Sequence, residues 1–402
     1  MSDVPLRRNR DFLLLQTGQL LSTFGSGMSS VAYPLLTLAV THSASHAGYV
    51  GAAVFAPLVL MGLPAGAAAD RFDRRRLMIA SDAAGAIAVG VLALAAATGH
   101  VAFWLILTVA FVDSCAGVAF RSGQAGAFRA VVPRSQLAAA ASAAQARAAT
   151  VRLASPAAGG ALFGVARAVP FLTDACSYAF STASLLLMRT RFQEERTEGA
   201  GRPRVREGLA YFARMPFLRA TIGMIAVSNF TFTALQLTLI VLAKRQGISS
   251  AGIGGFVALT GATTLLGSFA SPLLRRAFSL RAILLSEFWS ALAYVAFLGY
   301  PSVYVLAVAL AVQAFCFPNT DSATTAYSYA LIPDQLLGRA MAASNTLRAA
   351  AAPLGPLAAG LLLSVASPRA TVATAMAGTL VAAVAGTASR AIRAAPARLE
   401  DI

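Results

Sequence analysis

Charge is scarce in this sequence: Asp, Glu, Lys and Arg make up 12% of 402 residues, and 16 acids stand against 32 basic residues. A water-soluble domain needs about twice that charged fraction to cover its surface. With 57% hydrophobic residues and a mean hydropathy of +0.69, the bilayer is the expected solvent. Cysteine is nearly absent. Cys115, Cys176 and Cys316 are odd in number and sit inside apolar runs, which excludes a disulfide framework or a cysteine-spaced metal site and leaves them as small core fillers. Histidine is equally rare, and His42, His46 and His100 all fall in breaks between apolar runs, where none can relay protons through a membrane. Neither a His-Glu-x-x-His pair nor a nucleotide-binding glycine loop with lysine occurs, which argues against a membrane metalloenzyme and against direct ATP coupling. No cofactor or metal is expected, and the chain does not read as an enzyme.

What is abundant is long apolar sequence. Spanning a hydrocarbon core takes about 20 mainly apolar residues, and twelve such stretches can be marked. They are Phe12 to Val40, Gly48 to Ala69, Leu77 to Thr98, Ala102 to Phe128, Leu137 to Val165, Val169 to Met188, Leu218 to Ala243, Gly252 to Leu274, Leu280 to Leu298, Val303 to Tyr329, Leu336 to Val365, and Ala370 to Ala388. Arg7, Arg8 and Arg10 precede the first, which is too long for a signal-peptide core and is expected to stay as a span. The organisation predicted is an N-terminal six-helix half over 1-190, a cytoplasmic linker over 191-217 and a C-terminal six-helix half over 218-402. The linker holds Glu194, Glu195, Gly199, Gly201 and Pro203, a composition that cannot bury a core. Toward its end Val205, Leu209 and Phe212 recur at helical spacing among charges, predicting a short interfacial helix.

The basic residues orient the chain. Of 32, 24 fall in the termini, loops and span ends on the N-terminal side, four on the other side (Arg167, Lys244, Arg245, Arg369) and four deeper within spans (Arg121, Arg147, Arg152, Arg348). Cytoplasmic loops carry the excess of Lys and Arg, so both termini are expected in the cytoplasm. The net charge of +16 then forms a collar facing anionic lipid headgroups. Nucleic acid is not expected, because that partner requires the charge on one solvated face with stacking aromatics.

The two halves repeat. A shift of 200 residues aligns Pro133 with Pro333, Leu137 with Leu337, Pro156 with Pro356, Gly160 with Gly360 and Leu162 with Leu362. A shift of 201 aligns Gly66, Arg74 and Arg75 with Gly267, Arg275 and Arg276. Six spans per copy insert both copies in the same orientation, the parallel-repeat plan of transporters whose substrate site lies near mid-membrane between the halves.

Between the second and third spans stands Gly66-Ala-Ala-Ala-Asp70-Arg71-Phe72-Asp73-Arg74-Arg75-Arg76. It resembles the loop signature of the major facilitator superfamily, departing at Asp73, where the family has glycine; aspartate tolerates a left-handed turn. Further stretches resemble that superfamily's bacterial branch of drug, macrolide and enterobactin exporters: Arg8-Asn9-Arg10-Asp11-Phe12, Pro170-Phe171-Leu172-Thr173-Asp174, and Ile332-Pro333-Asp334 leading to Leu337-Gly338-Arg339. The resemblance implies an all-α membrane protein of twelve transmembrane helices in a bacterial cytoplasmic membrane. It also implies alternating-access export of a small amphipathic molecule in exchange for protons, with an importer of the same fold as the rival. Gly66, Asp70, Arg71, Arg74 and Arg75 become a conformational gate. The expected partners are the small-molecule substrate, protons and membrane lipid, with the chain acting as a monomer. Ser155-Pro156-Ala-Ala-Gly159-Gly160, echoed at Gly355-Pro356, partly matches an antiporter motif. As plain close packing of helices it would read the same.

Ionisable residues inside spans cost from about 2.5 kcal/mol upward and normally face a cavity or a partner. Asp82 and Glu287 occupy repeat-equivalent places near the cytoplasmic ends of spans and are expected to pair with loop arginines. Asp174 is expected to cap the start of span six. Arg121 and Arg147 lie 12 and 14 residues from Pro133, and Asp321 and Arg348 lie 12 and 15 from Pro333, which puts all four at similar depth and predicts a charge cluster between the halves. Asp113 lies 20 residues before Pro133 and Arg152 lies 19 after it, so a hairpin would set them level. Two readings stand for that pair: a proton-coupling acid gated by an arginine, or a permanent pair that only fixes two helices.

Overall fold

The structure is a computed structural model, describing residues 5–190, 192 and 214–394. Every apolar run of the sequence becomes one helix or two helices separated by a break. In the first half these are α1 (Arg10–Thr41), α2 (Ala44–Leu60), α3 (Gly62–Arg71), α4 (Arg74–Thr98), α5 (Phe103–Val131), α6 (Leu137–Val165) and α7 (Val169–Leu187). The second half contains α8 (Pro216–Arg245), α9 (Ser250–Ala277), α10 (Leu280–Trp289), α11 (Tyr294–Gly299), α12 (Val303–Leu331), α13 (Asp334–Ala349), α14 (Leu354–Val365), α15 (Pro368–Ala388) and the short α16 (Arg390–Arg393). Among the described residues, eight segments are long and apolar enough to cross a membrane, or nine if the bent pair α2 and α3 is one span. The interfacial helix expected around Val205, Leu209 and Phe212 lies outside the described residues.

Breaks follow backbone chemistry. The second predicted span bends by 52° between α2 and Pro64–Arg71, where Pro57 and Pro64 each lack the N–H that would continue the ladder. The eleventh divides between α13 and α14 at Pro353, and a 3₁₀ turn over Ser290–Ala293 separates α10 from α11. Asp73 departs from the expected left-handed turn. Its backbone is extended at φ −60°, and its carboxylate accepts from the Arg76 amide at 2.8 Å as the N-cap of α4.

The chain divides into two compact units, one comprising Met1–His46, Ala53–Ala200 and Ile248–Ala258, the other Ala47–Ala52, Gly201–Gly247 and Leu259–Ile402. In the first, α1 is the hub, packed on α7, α6 and α5, while α4 packs on α5 and α7. In the second, α8 takes the corresponding place against α14, α15, α12 and α13. Small residues set these distances. A Cβ on Gly159 would lie 2.6 Å from the Met28 carbonyl oxygen, so α6 reaches α1 only as glycine. Gly355 meets α8 at Phe230 and Thr233 in the same way. The carbonyl of Pro156 and Gly160 lie against Gly254 in the first unit, and the carbonyl of Pro356 and Gly360 lie against Gly48 in the second. A proline donates no backbone ladder bond and a glycine opposite it adds no bulk, which suits both to helix crossings.

Candidate functional site: a buried acidic network in the first unit

One face of α7 reads Asp174, Ser177, Tyr178, Ser181 and Ser184, offsets of 3, 4, 7 and 10 residues that place all five side chains on one stripe. All five are buried. A polar stripe in an apolar environment needs a polar partner, and α1 supplies it. Gly18 lies against Ser184 and Gly25 against Ser177 and Asp174, where a Cβ would come 2.9 Å from the Asp174 Cα. That approach lets α1 hydroxyls reach across. Ser29 donates to Asp174 Oδ2 at 2.6 Å, and Ser26 Oγ lies 3.4 Å from Asp174 Oδ1 and 2.9 Å from the Tyr178 hydroxyl.

Asp113 enters the same network from α5. Tyr178 donates to its Oδ1 at 2.6 Å and Tyr33 donates to its Oδ2 at 3.0 Å. The Tyr33 ring is fixed in turn by Phe171, with centroids 5.3 Å apart. The two carboxyl groups, 6% and 0% exposed, are therefore bridged by Tyr178 and Ser26. Arg121, two turns along α5, acts on Asp113 and Tyr178 electrostatically. One step along the stripe, Ser181 donates to buried Asp82 of α4, whose Oδ2 has no hydrogen-bond partner among the described residues.

Several expectations change here. Arg152 is exposed, and Asp113 is held by two tyrosines instead. Depth along two hairpin helices does not make them neighbours: α5 packs chiefly on α4, α3 and α1, whereas α6 packs on α1 and α7. Asp174 is not a helix cap, because α7 begins five residues earlier at Val169 and the carboxylate points to α1. Asp82 takes a serine hydroxyl, and the loop arginines expected beside it go elsewhere. Arg75 donates to the Leu185 and Leu186 carbonyls at 2.9 Å, and Arg74 reaches the Phe192 carbonyl at 3.4 Å. Those carbonyls lie at and beyond the C-terminal end of α7, where cations are favoured. The gate segment ends α3, with Asp70 and Arg71 exposed and Gly66 facing open space.

The four charges expected in one cluster each find a partner within their own unit. Arg147 donates to the Gln16 side chain, Arg121 acts on Asp113 electrostatically, and Arg348 forms an ion pair with Asp321. Nearby, buried Glu287 accepts from Ser228 and Thr320 and lies in the field of Arg348. Thus Glu287, like Asp82, is housed among hydroxyls rather than with a loop arginine.

Comparison with known proteins accounts for this architecture. The model of the transmembrane secretion effector family matches residues 2–398. The multidrug efflux pump Tap of Mycobacterium tuberculosis (strain ATCC 25618 / H37Rv) is 41% identical over 85 residues, a stretch that is 21% of this chain and 20% of the pump. The match therefore spans only about a fifth of that relative's length. Among solved structures, a bacterial homolog of the human lysosomal transporter Spinster, inward-facing and occupied, superposes with a TM-score of 0.76 at 16% identity, covering 99% of both chains. The nucleoside transporter NupG gives 0.73 at 12% identity, covering 97% of this chain and 100% of that one. At such identities these structures share the fold. The chain belongs to the transmembrane secretion effector family of major facilitator transporters, and it is a membrane transporter and not an enzyme.

Proposed function

We propose that this transporter exports a small amphipathic molecule by alternating access and is driven by protons moving the other way. The observation that carries this reading is the buried Asp113 network. A carboxylate deep in a span is expensive, and one held by two tyrosine hydroxyls beside a second carboxyl is suited to exchanging a proton. Similarity of one stretch to a multidrug efflux pump supports the outward direction and an amphipathic substrate. The basic collar supports a bacterial cytoplasmic membrane with both termini inside. Ethidium, an amphipathic cation, serves as the probe. Cells carrying the gene are expected to accumulate less ethidium than cells without it, and a protonophore should erase the difference. Equal accumulation of ethidium and of an uncharged amphipathic dye in both strains would defeat the reading.

Asp70 at the end of α3 is proposed as the latch of the cytoplasmic gate, with Gly66, Arg71, Arg74 and Arg75 shaping its loop. Asp70→Asn is expected to lower the ethidium efflux rate about tenfold, a change of roughly 1.4 kcal/mol in the barrier, with expression and melting temperature unchanged. Wild-type efflux from a well-expressed mutant would remove Asp70 from the gate.

A further inference from the structure

Counting protons in the acidic network separates its two carboxyl groups. Asp113 receives one hydroxyl hydrogen on each oxygen, from Tyr178 and Tyr33, and stands in the field of Arg121. That is the environment of an ionised carboxylate. Asp174 Oδ2 receives the Ser29 hydrogen at 2.6 Å. Among the described residues its Oδ1 is offered only two contacts of 3.4 Å, from Ser26 and Ser177. Each of these hydroxyls has a single hydrogen and better acceptors: the Tyr178 oxygen at 2.9 Å or the Ser22 carbonyl at 3.0 Å for Ser26, and the Asp174 carbonyl at 2.7 Å for Ser177. Asp174 Oδ1 is therefore the one carboxyl oxygen of the pair short of a hydrogen. Two ionised carboxylates sharing one buried network repel, and Asp174, 0% exposed, has no cation among its hydrogen-bond partners in the described residues.

We propose that Asp174 carries the proton of a two-carboxyl, one-proton site, as a neutral acid protonated on Oδ1, while Asp113 is the ionised partner that receives it. The transfer balances without a co-reactant. Asp174 Oδ1–H gives its proton to Ser26 Oγ, the Ser26 hydrogen passes to the Tyr178 oxygen, and the Tyr178 hydrogen passes to Asp113 Oδ1. One carboxylic acid and one carboxylate stand before and after. Charged and titratable groups around Asp174 are Asp113 on α5, Tyr33 on α1 and Tyr178 on α7, with Arg121 acting on Asp113 and Tyr178, and Asp82 of α4 further along the stripe at Ser181. This deepens the proton-exchange reading above and rests on it only for its role in transport.

Infrared spectroscopy of the purified protein in lipid vesicles at neutral pH reads the proton directly, with no substrate. The carbonyl stretch of a buried carboxylic acid is expected in the wild type, lost in Asp174→Asn and kept in Asp113→Asn. Ser29→Ala is the milder variant: it frees the Oδ2 carbonyl of the acid, so the band should move to higher frequency. A band that vanishes in Asp113→Asn and ignores Ser29→Ala would put the proton on Asp113 and overturn the assignment. A spectrum unchanged by all three substitutions would overturn it as well. Because the band is read without transport, failure of ethidium export would refute the exporter reading and leave this one standing.

Discussion

Asp113→Asn is expected to abolish proton-driven ethidium efflux while the protein still folds. Asparagine matches the carboxylate in shape, and its amide oxygen still accepts one of the two tyrosine hydroxyls, 2.6 and 3.0 Å away in the wild type. The amide nitrogen offers hydrogens where the other hydroxyl points. One hydrogen bond is therefore lost, at a net cost of about 1 kcal/mol, too little to unfold a membrane domain of this size. Proton exchange suffers far more, because an amide cannot take the hydrogen that Tyr178 passes on. In proteoliposomes with an imposed pH gradient, uphill efflux should fall to the level of empty vesicles while ethidium binding remains. Tyr178→Phe should reproduce the defect with both carboxyl groups present, since it cuts the bridge to Ser26. If the Asn mutant still pumps against a gradient and still collapses under a protonophore, Asp113 has no part in coupling. Poor folding with normal coupling in the surviving fraction would mark the network as architectural.

Asp321→Arg is expected to eliminate folded transporter, for a different reason. The Arg348 side chain is only 12% exposed, and its backbone carbonyl is held by the Asn229 amide at 2.7 Å, so the guanidinium cannot swing away freely. Removing the acid leaves the buried guanidinium uncompensated, a loss that reaches roughly 3 kcal/mol or more where both partners are buried; facing it with a second guanidinium adds repulsion. Asp321 is 42% exposed, which screens part of its side of the pair. Arg348 matters more, since it also faces Glu287. Arg348→Asp added to Asp321→Arg restores opposite charges and should recover part of the expression and of the ethidium efflux. The recovery is partial, because an acid at 348 then stands in the field of Glu287. Wild-type levels of protein from the single charge reversal, read by fluorescence size-exclusion chromatography, would show that the pair bears no stability.

The helical segments were legible because burial in lipid demands runs of about 20 apolar residues with every backbone group bonded locally. Hydropathy reads that demand directly, and the breaks at Pro64 and Pro353 follow from one residue type. The acidic network was half legible. Asp113 and Asp174 stand out as charges in spans, and the offsets of Ser177, Tyr178, Ser181 and Ser184 from Asp174 already describe one helical face. Depth alone pairs Asp113 with Arg152, because a hairpin makes them level, but level residues meet only if their helices pack and their side chains point inward.

Sequence alone thus determined the solvent of this chain, its helical segments and the motif that leads to its family, all properties carried by local composition and spacing. Tertiary structure decided which helices are neighbours and so which charges meet. The α1 glycines at 18 and 25 bring Ser26 and Ser29 to Asp174 across 145 or more residues of chain. Packing also sent Arg75 to the end of α7 rather than to Asp82. Such choices depend on helix separation and facing, which close contacts between distant small residues set and which no local pattern records.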